Sequence, residues 1–288
     1  MHEYPIYPLP HSIVNRYFSE LPQPPKQLFA RGTFPDAPHL VFLTIVGARK
    51  HTPYGEEVCR NLVAGLKGYP IVIVSGLAQG IDTIAHTAAV DAGLLSVAFP
   101  GSGLGERVIY PRQNIHLAES ILHAGGCLVS EYPEHEPGNS WSFPRRNRLL
   151  AGLSRATLLI EATHDSGSRI TARLATEYNR DVLAVPGSIF SELSQAPNEL
   201  LRLGATPITS ASELLEALGF ERSAQPPLDL FSLCSPEEER VLQLLPRPKS
   251  RGDLIREMNM STAKANALLS HMEMKGLVKE SGGELRRM

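Results

Sequence analysis

The sequence contains few cysteines, and they stand far apart. Cys59, Cys127 and Cys234 are the only three in 288 residues, at separations of 68 and 107 positions. Disulfide frameworks and Cys-x-x-Cys zinc sites need closely spaced cysteines, so the sequence excludes both. So few cysteines are typical of a protein in a reducing compartment, and we therefore expect a cytoplasmic location.

Long apolar runs are also missing. The charge-free stretch 92–105 is interrupted by glycine and proline, and it is shorter than the roughly 20 apolar residues of a membrane-spanning helix. The first residues lack the basic segment and apolar run of a secretory signal. We therefore expect no membrane partner.

The chain as a whole has no surplus of positive charge. Lys and Arg total 28 against 30 Asp and Glu, which gives a net charge of -2. Proteins that bind nucleic acids non-specifically use positive charge to neutralise phosphates. Any such binding here must therefore come from a local patch.

From residue 41 onwards, the sequence alternates short apolar runs with helical patterns. The runs are rich in Val, Ile and Leu without polar alternation, which is typical of parallel strands covered by helices on both faces. This pattern predicts an α/β fold with a doubly wound parallel sheet, whose ligands bind at the carboxyl ends of the strands. The predicted strands are 41–48, 71–75, 94–99, 127–131, 157–162, 182–185 and 206–208.

Three further segments surround this core, which we assign to residues 40–220. Residues 1–39 hold eight prolines and predict an irregular strap. Residues 221–234 show no periodicity and predict a linker. Residues 235–288 predict a second domain with three helices and a terminal Gly282-Gly283 turn, the pattern of a winged helix-turn-helix.

The third helix of the second domain has the clearest pattern. Ser261 is the predicted N-cap, and Gly276 follows the end of the helix. One face carries Ala265, Leu268, Leu269 and Met272. The domain has ten basic and eight acidic residues, a small surplus that leaves duplex DNA and a protein open as its partner.

Glycine-rich turns follow the first two predicted strands. The first turn contains Gly47 with Arg49 and Lys50, and the second runs from Ser75 to Asp82. Gly76 and Gly80 would let a ligand approach the main chain, and the helix that begins near Asp82 favours an anion. The two turns predict phosphate binding. The alternative is that the glycines only make tight turns.

The highest local charge follows the fourth predicted strand, in Trp141-Ser142-Phe143-Pro144-Arg145-Arg146-Asn147-Arg148. Residues 145–180 hold seven arginines against three acidic residues, a balance of +4. Guanidinium groups bind phosphates and aromatic rings stack on bases, so the segment predicts a nucleic-acid site. The alternative is a solvated basic face with the aromatic rings in the core.

A serine-rich turn follows the fifth predicted strand. Ser166, Gly167 and Ser168 stand at a helix start, where hydroxyls and amides can bind a phosphate oxygen. Ser168 as a nucleophile, with His86 or His164 as its base, is the less favoured alternative to a capping serine, because no Gly-x-Ser-x-Gly motif surrounds it.

No cofactor or metal is predicted. Residues 100–105, Pro-Gly-Ser-Gly-Leu-Gly, lack the spacing and position of a dinucleotide fingerprint, which would follow the first strand. The ten histidines show no metal-binding spacing, and we interpret His86 as structural.

Several motifs together resemble the DNA-processing protein A (DprA/Smf) family over about residues 40–210. They are Ser75-Gly76-Leu77-Ala78-Gln79-Gly80-Ile81-Asp82 with His86, Phe143-Pro144-Arg145-Arg146-Asn147-Arg148 with Ala151-Gly152-Leu153, Ser166-Gly167-Ser168 with Thr171-Ala172, and Val185-Pro186-Gly187. Residues 21–32 and the C-terminal region also look like segments of that family. One departure is Ala48, where the family usually has Ser or Thr.

The resemblance implies an extended Rossmann-like domain with a small C-terminal winged-helix domain. It also implies sequence-independent binding of single-stranded DNA, loading of the RecA recombinase in natural transformation and recombination, a homodimer, and no catalytic reaction. Phosphates would contact Arg49, Arg146 and Arg148, and a base would meet Phe143. The predicted DNA-binding residues are Arg49, Lys50, Ser75, Gly76, Gly80, Phe143, Arg145, Arg146, Asn147, Arg148, Ser166, Gly167, Ser168 and Arg169.

Two other classes of function remain as alternatives. Related Rossmann enzymes cleave nucleoside monophosphates at the ribosyl bond and carry Pro-Gly-Gly-x-Gly-Thr-x-x-Glu, but this chain has Val108 in place of the catalytic Glu. The other alternative is a structural adaptor that acts through the terminal domain.

Overall fold

The computed structural model describes residues 3–220, 235–245, 249–258, 260–274, 277–281 and 284–287. Contacts between Cα atoms divide the chain into two units, Met1–Arg222 and Ser223–Met288. The predicted linker and the Gly282-Gly283 turn lie outside the described residues.

The first unit is built on a nine-stranded sheet. Its strands are β1 (Ile6–Pro8), β2 (Phe29–Gly32), β3 (Val41–Val46), β4 (Ile71–Ser75), β5 (Leu95–Ala98), β6 (Cys127–Ser130), β7 (Ala156–Leu159), β8 (Asp181–Ala184) and β9 (Thr206–Pro207). Its helices are α1 (His11–Phe18), α2 (Pro53–Ala64), α3 (Ile81–Asp91), α4 (Ile115–His123), α5 (Ser142–Leu153), α6 (Gly167–Glu177), α7 (Gln195–Arg202) and α8 (Ala211–Ala217).

The strand order in the sheet is β1-β2-β6-β5-β4-β3-β7-β8-β9. Strands β3 to β9 pair in parallel, whereas β1 and β2 pair antiparallel at one edge. The chain first adds strands on one side of β3 and then returns to add β7 on the other side. This reversal opens a crevice at the carboxyl ends of β3 and β7, where doubly wound folds bind their ligands.

Both faces of the sheet are covered, as the apolar strand sequences predict. In β4, Ile71 and Ile73 pack on one face with α2, α3 and α8, while Val72 and Val74 pack on the other with α1, α5 and α7. Each such buried aliphatic side chain stabilises the fold by about 1.5–3 kcal/mol. The predicted extended, doubly wound α/β fold is confirmed.

The first 39 residues are more regular than an irregular strap, so that prediction was wrong. Strand β2 pairs with β6, β1 pairs with β2, and Phe18 of α1 is buried in the core. The prolines do not interrupt these elements. Pro8 ends β1, and Pro10 directly precedes α1, where a missing N–H costs little.

The second unit contains three helices and a small antiparallel sheet. Its elements are α9 (Pro236–Leu244), β10 (Lys249–Ser250), α10 (Arg251–Glu257), α11 (Thr262–Met274), β11 (Val278–Ser281) and β12 (Glu284–Arg287). The sheet order is β10-β12-β11. Leu254, Leu269 and Leu285 bring the helices and the sheet into one core. This is the predicted winged-helix architecture.

Within the described part of the chain, none of the helices has the length and apolar character needed to cross a bilayer.

Candidate nucleic-acid interface

A cavity of about 720 Å³ occupies the crevice at the carboxyl ends of β3 and β7. It is formed by the loops after these strands and by the starts of α5 and α6. Its lining includes Arg49, Lys50, Tyr110, Phe143, Arg146, Asn147, Ser166, Gly167, Ser168 and Thr171. Eight of the fourteen predicted site residues therefore meet in one place.

The loop after β3 carries the two exposed cations of the cavity. The Ala48 amide donates to the Glu161 carbonyl oxygen at 2.6 Å, and the Ala48 carbonyl accepts from the Ile81 amide at 3.1 Å. Gly80 has φ +79°, and a Cβ atom there would collide with the Ala48 carbonyl. Gly80 thus serves the close packing of this loop. The loop in turn presents Arg49 and Lys50 to solvent.

A buried carboxylate fills the N-terminus of α2. The amide and the hydroxyl of Thr52 donate to the two carboxylate oxygens of Glu161, at 2.9 and 2.6 Å. A Cβ on Gly55 would collide with this carboxylate. Because a Rossmann dinucleotide site places its pyrophosphate at the first helix N-terminus, Glu161 blocks that mode of binding.

A second buried carboxylate occupies the turn before α3. The amides of Gly76 and Ala78 donate to Oδ2 of Asp82 at 3.1 and 3.4 Å. The Gly76 amide, predicted to bind a phosphate, therefore already has an anionic acceptor inside the protein. Sequence reasoning placed Asp82 at the helix start but did not assign it this role.

Arg146 forms the floor of the cavity. Its guanidinium lies 4.0 Å from Asp82 and donates to the carbonyl oxygens of Gly76, at 2.6 Å, and Phe99. A Cβ on Gly76 would collide with this guanidinium. Burial raises the pKa of the Asp82 carboxyl, and the Arg146 charge opposes that rise. Most of the Arg146 hydrogen-bonding capacity is thus used within the protein.

The other two arginines of the motif point elsewhere. The helical turn of α5 places Arg145 and Arg148 on a different face from Arg146, toward Glu131. Arg148 is buried and its Nη2 bonds the Glu131 carboxylate, so the prediction that Arg148 contacts a phosphate was wrong. Arg145 is exposed outside the cavity lining.

Two more predicted residues lie outside the cavity lining. Ser75 is buried, and its hydroxyl donates to the Ile45 carbonyl at 2.6 Å. Arg169 bonds the Glu199 carboxylate at 2.7 Å. Both side chains hold the fold together around the cavity.

The start of α6 differs from the starts of α2 and α3, because no acidic residue lies in its first turn. The Ser166 hydroxyl caps the helix by accepting from the Ser168 amide at 3.3 Å. The Ser168 hydroxyl donates to the Gly47 carbonyl at 2.6 Å and joins the two loops of the crevice. Gly167 faces open space, and the buried Thr171 hydroxyl, which lines the cavity, has no hydrogen-bond partner among the described residues.

Neither histidine considered as a base is placed to activate Ser168. Nδ1 of His86 bonds the Ser96 hydroxyl at 2.7 Å, and burial lowers the pKa of His86 to about 3. His164 lies against Arg169. The structure therefore gives His86 the structural role that we predicted.

Aromatic rings form one wall of the cavity. Phe143, at the start of α5, lies with its ring centroid 5.7 Å from that of Tyr110, at an interplanar angle of 42°. Sequence reasoning missed Tyr110. The signal was an aromatic residue in the long segment after the third predicted strand, at the carboxyl edge of the sheet.

Comparison with known proteins resolves the family. The family model for DNA recombination-mediator protein A matches residues 3–219, three quarters of the chain. The chain belongs to this family. The model for the DprA winged helix domain matches residues 220–284.

Curated members of the family show 33–41% identity to this chain. Protein Smf of Escherichia coli is 41% identical over 225 residues, which cover 78% of this chain and 59% of that protein. DNA processing protein DprA of Bacillus subtilis is 38% identical over 202 residues, or 70% of this chain and 67% of that protein. The matched region thus spans only part of each relative.

Two solved structures of DNA processing protein A share the fold. The protein from Streptococcus pneumoniae is 35% identical with a TM-score of 0.65, and the match covers 74% of each chain. The protein from Helicobacter pylori is 30% identical with a TM-score of 0.66, covering 75% of this chain and 96% of that one. The latter structure is described as revealing a unique single-stranded DNA binding mode.

Proposed function

We propose that this recombination-mediator family member binds single-stranded DNA without sequence preference in the cavity between β3 and β7. The bound strand is held for the RecA recombinase during natural transformation and recombination. The observation that carries this proposal is the combination, in one open cavity, of two exposed cations, a helix start free of acidic residues and two aromatic rings.

The phosphate contacts are assigned to opposite sides of the crevice. Arg49 and Lys50 have no hydrogen bond or ion pair within the described residues, so their charges are available to phosphodiester oxygens. The Ser168 and Arg169 amides at the start of α6 are already bonded to Ser166, so the Gly167 amide and the unpartnered Thr171 hydroxyl are the neutral donors across the crevice. Arg146 adds positive charge from the floor.

The base contacts are assigned to Phe143 and Tyr110. Every base has a π-face, so stacking is tolerant of sequence. Asn147 has an amide suited to reading base edges, but it is bonded to Arg146 and to the Gly167 carbonyl. These contacts support a site that does not distinguish sequences.

We propose that the protein acts by binding and not by catalysis. The carboxylate of Asp82, which lines the cavity, and that of Glu161 at the start of α2 already accept hydrogen bonds from main-chain amides. The Ser168 hydroxyl is bonded to the Gly47 carbonyl. If adenosine monophosphate incubated with the protein released adenine, this part of the proposal would be wrong.

The direct test is fluorescence anisotropy of labelled oligothymidylates with the full chain, repeated over a salt series. The double variant Arg49→Ala, Lys50→Ala should bind more weakly, and the slope of log K against log salt should fall by roughly 0.7 for each phosphate that the protein no longer neutralises. Lys67→Ala, at the opposite edge of the sheet, is the control for removal of a positive charge. If the affinity and the salt slope of the double variant are unchanged, the DNA does not bind in this cavity.

The homodimer and the RecA step are tested separately. We expect sedimentation to give about twice the 31.5 kDa mass of one chain. We also expect RecA filaments to form faster, when the full chain is present, on single strands that a separate single-stranded DNA-binding protein already covers. A monomer, or an unchanged rate of filament formation, would contradict the corresponding part of the proposal.

A further inference from the structure

Trp141, the only tryptophan of the chain, is 54% exposed at the residue before α5. One edge of its ring is supported by Tyr132, with the ring centroids 5.8 Å apart and the planes at 72°. Its amide donates to the Asn139 side-chain oxygen at 3.1 Å, which holds the turn in place. A large aromatic surface is therefore kept in solvent by a structured turn.

A cation lies one helical turn from this residue. Arg145 is four residues, or one helical turn, beyond Trp141. Its amide donates to the Trp141 carbonyl at 3.2 Å. Residues at this spacing share one face of a helix. The Arg145 side chain is 55% exposed, and its Nε lies 4.0 Å from Oε2 of Glu131, which is beyond hydrogen-bond distance. The guanidinium is thus available to an anion from solvent.

The pair borders the cavity but does not line it. Ser140 and Phe143, on either side of Trp141 in the sequence, both belong to the cavity lining. Consecutive Cα atoms are about 3.8 Å apart, so Trp141 lies within the length of one nucleotide of the cavity wall. A strand that leaves the cavity on this side meets the ring and the guanidinium next.

We propose that Trp141 and Arg145 form a second binding platform for single-stranded DNA, outside the cavity. Trp141 stacks on an unpaired base, and Arg145 bonds the adjacent phosphodiester. The ligand is the continuation of the strand held in the cavity, so this inference rests on the proposed function. The platform lengthens the bound segment and makes affinity depend on oligonucleotide length.

The experiment uses the full chain and oligothymidylates of increasing length. Anisotropy of a labelled oligonucleotide reports binding, and the emission of the single tryptophan reports contact with the platform. The shortest oligonucleotides that bind should leave the emission unchanged, whereas longer ones should quench it. Trp141→Ala and Arg145→Ala should each weaken binding of the longer oligonucleotides, with a loss of roughly 5- to 150-fold for Trp141→Ala, and leave the shortest unaffected.

Two controls match these variants. Trp141→Phe keeps an aromatic ring and should retain most of the affinity for long oligonucleotides. Lys67→Ala removes a positive charge far from the platform and should have no effect beyond that of net charge.

The outcomes separate the platform from the cavity. Two results would overturn the platform and leave the cavity proposal intact. In the first, the unchanged protein binds oligonucleotides of every length without quenching of its tryptophan. In the second, the tryptophan of the unchanged protein is quenched but Trp141→Ala binds long oligonucleotides with the same affinity. If Trp141→Ala sediments differently but binds DNA unchanged, the platform proposal is wrong and Trp141 contacts another protein chain instead. No binding at any length overturns both proposals.

Discussion

Among individual residues, the buried pair of Asp82 and Arg146 has the largest effect on the site. Asp82 orders the turn after β4 by accepting from two amides, and Arg146 offsets its charge at 4.0 Å while bonding the Gly76 carbonyl. Burial raises the pKa of Asp82 and lowers that of Arg146. The positive floor of the cavity therefore depends on a carboxylate that is buried and bonded to main-chain amides.

Removing Arg146 should destabilise the protein strongly. We expect Arg146→Ala to lower the free energy of unfolding by about 3–5 kcal/mol, because it leaves the Asp82 charge buried without a partner. The exposed neighbour Arg145→Ala is the matched control and should change stability by less than about 0.5 kcal/mol. Urea denaturation of both variants measures the difference.

The pH dependence of that destabilisation has a defined sign. A raised pKa means that folded Asp82 holds its proton more tightly than unfolded Asp82, so its contribution to stability is present at low pH and declines as pH rises through the folded value. The cost of Arg146→Ala should therefore be smaller at mildly acidic than at neutral pH. If Arg146→Ala does not fold, Asp82→Asn with Arg146→Met should fold and be more stable, since neither charge remains unpaired.

Stacking should be measurable at Phe143. Phe143→Ala is expected to weaken single-stranded DNA binding by about 1–3 kcal/mol, to a similar extent for thymidylate and adenylate oligonucleotides. Phe190→Ala is the control, because Phe190 is 92% exposed and lies outside the cavity lining. Equal losses of affinity in the two variants, measured by anisotropy, would contradict a stacking role for Phe143.

The sequence predicts which residue types lie near the site better than it predicts which partner each side chain contacts. The motif with three arginines and the strand-end turns identified the right loops, because strand periodicity and glycine spacing are local properties. The fate of Arg148 depends on Glu131, 17 residues away, and that of Gly76 depends on the Asp82 carboxylate. Such partners are fixed by packing, so the local pattern could not distinguish a phosphate contact from an internal ion pair.

At the level of secondary structure elements, the helix N-termini at the carboxyl edge of the sheet are not equivalent. Glu161 fills the start of α2, and Asp82 fills the turn into α3. The first turn of α6 has no acidic residue, and Gly167 there faces open space. Of these three helix starts, that of α6 is thus the one without a carboxylate bonded in it.

A carboxylate placed at the start of α6 should affect stability and binding in opposite directions. Gly167→Asp should leave the free energy of unfolding unchanged or raise it by about 0.3–1 kcal/mol through the helix dipole. The same change should weaken single-stranded DNA binding, because the new carboxylate competes with a phosphate. Thermal denaturation and anisotropy measure the two effects, with Gly167→Ser as the uncharged control. DNA affinity equal to that of the control would argue against a phosphate at α6.

The elements at the chain's beginning show where composition misleads. Eight prolines suggested an irregular strap, yet two strands and a helix form there. The short strands β1 and β2 contain too few residues for a periodic signal. Strand β1 pairs with β2, and the pairing of β2 with β6 is a long-range contact.

For the whole molecule, the basic side chains of the cavity and those of α11 differ in whether they have acidic partners. Among the described residues, the cavity of the first unit has unpaired cations, whereas both basic side chains described on α11 face acids. Lys264 lies 2.6 Å from Glu237, and His271 lies 3.9 Å from Glu238. The Lys264 ammonium and the His271 ring of α11 thus have acidic neighbours within the unit.

The full chain should accordingly prefer single strands to duplexes. In a competition assay, we expect unlabelled single strands to displace a labelled oligothymidylate at much lower concentration than a duplex of equal length. Lys264→Ala should not weaken any residual duplex binding, because that ammonium is already paired with Glu237. Loss of duplex binding in Lys264→Ala would instead assign α11 to the duplex.

The carboxylate of Glu161 at the start of α2 also has a consequence in a crowded cell. Coenzymes and mononucleotides, which are abundant in cells, cannot place their phosphates at the helix N-terminus where this fold ordinarily binds them. A polymer can compensate with many weak contacts spread along its length, whereas a monomer cannot. Under the proposed function, the blocked helix start therefore favours a polymer over a metabolite as the ligand.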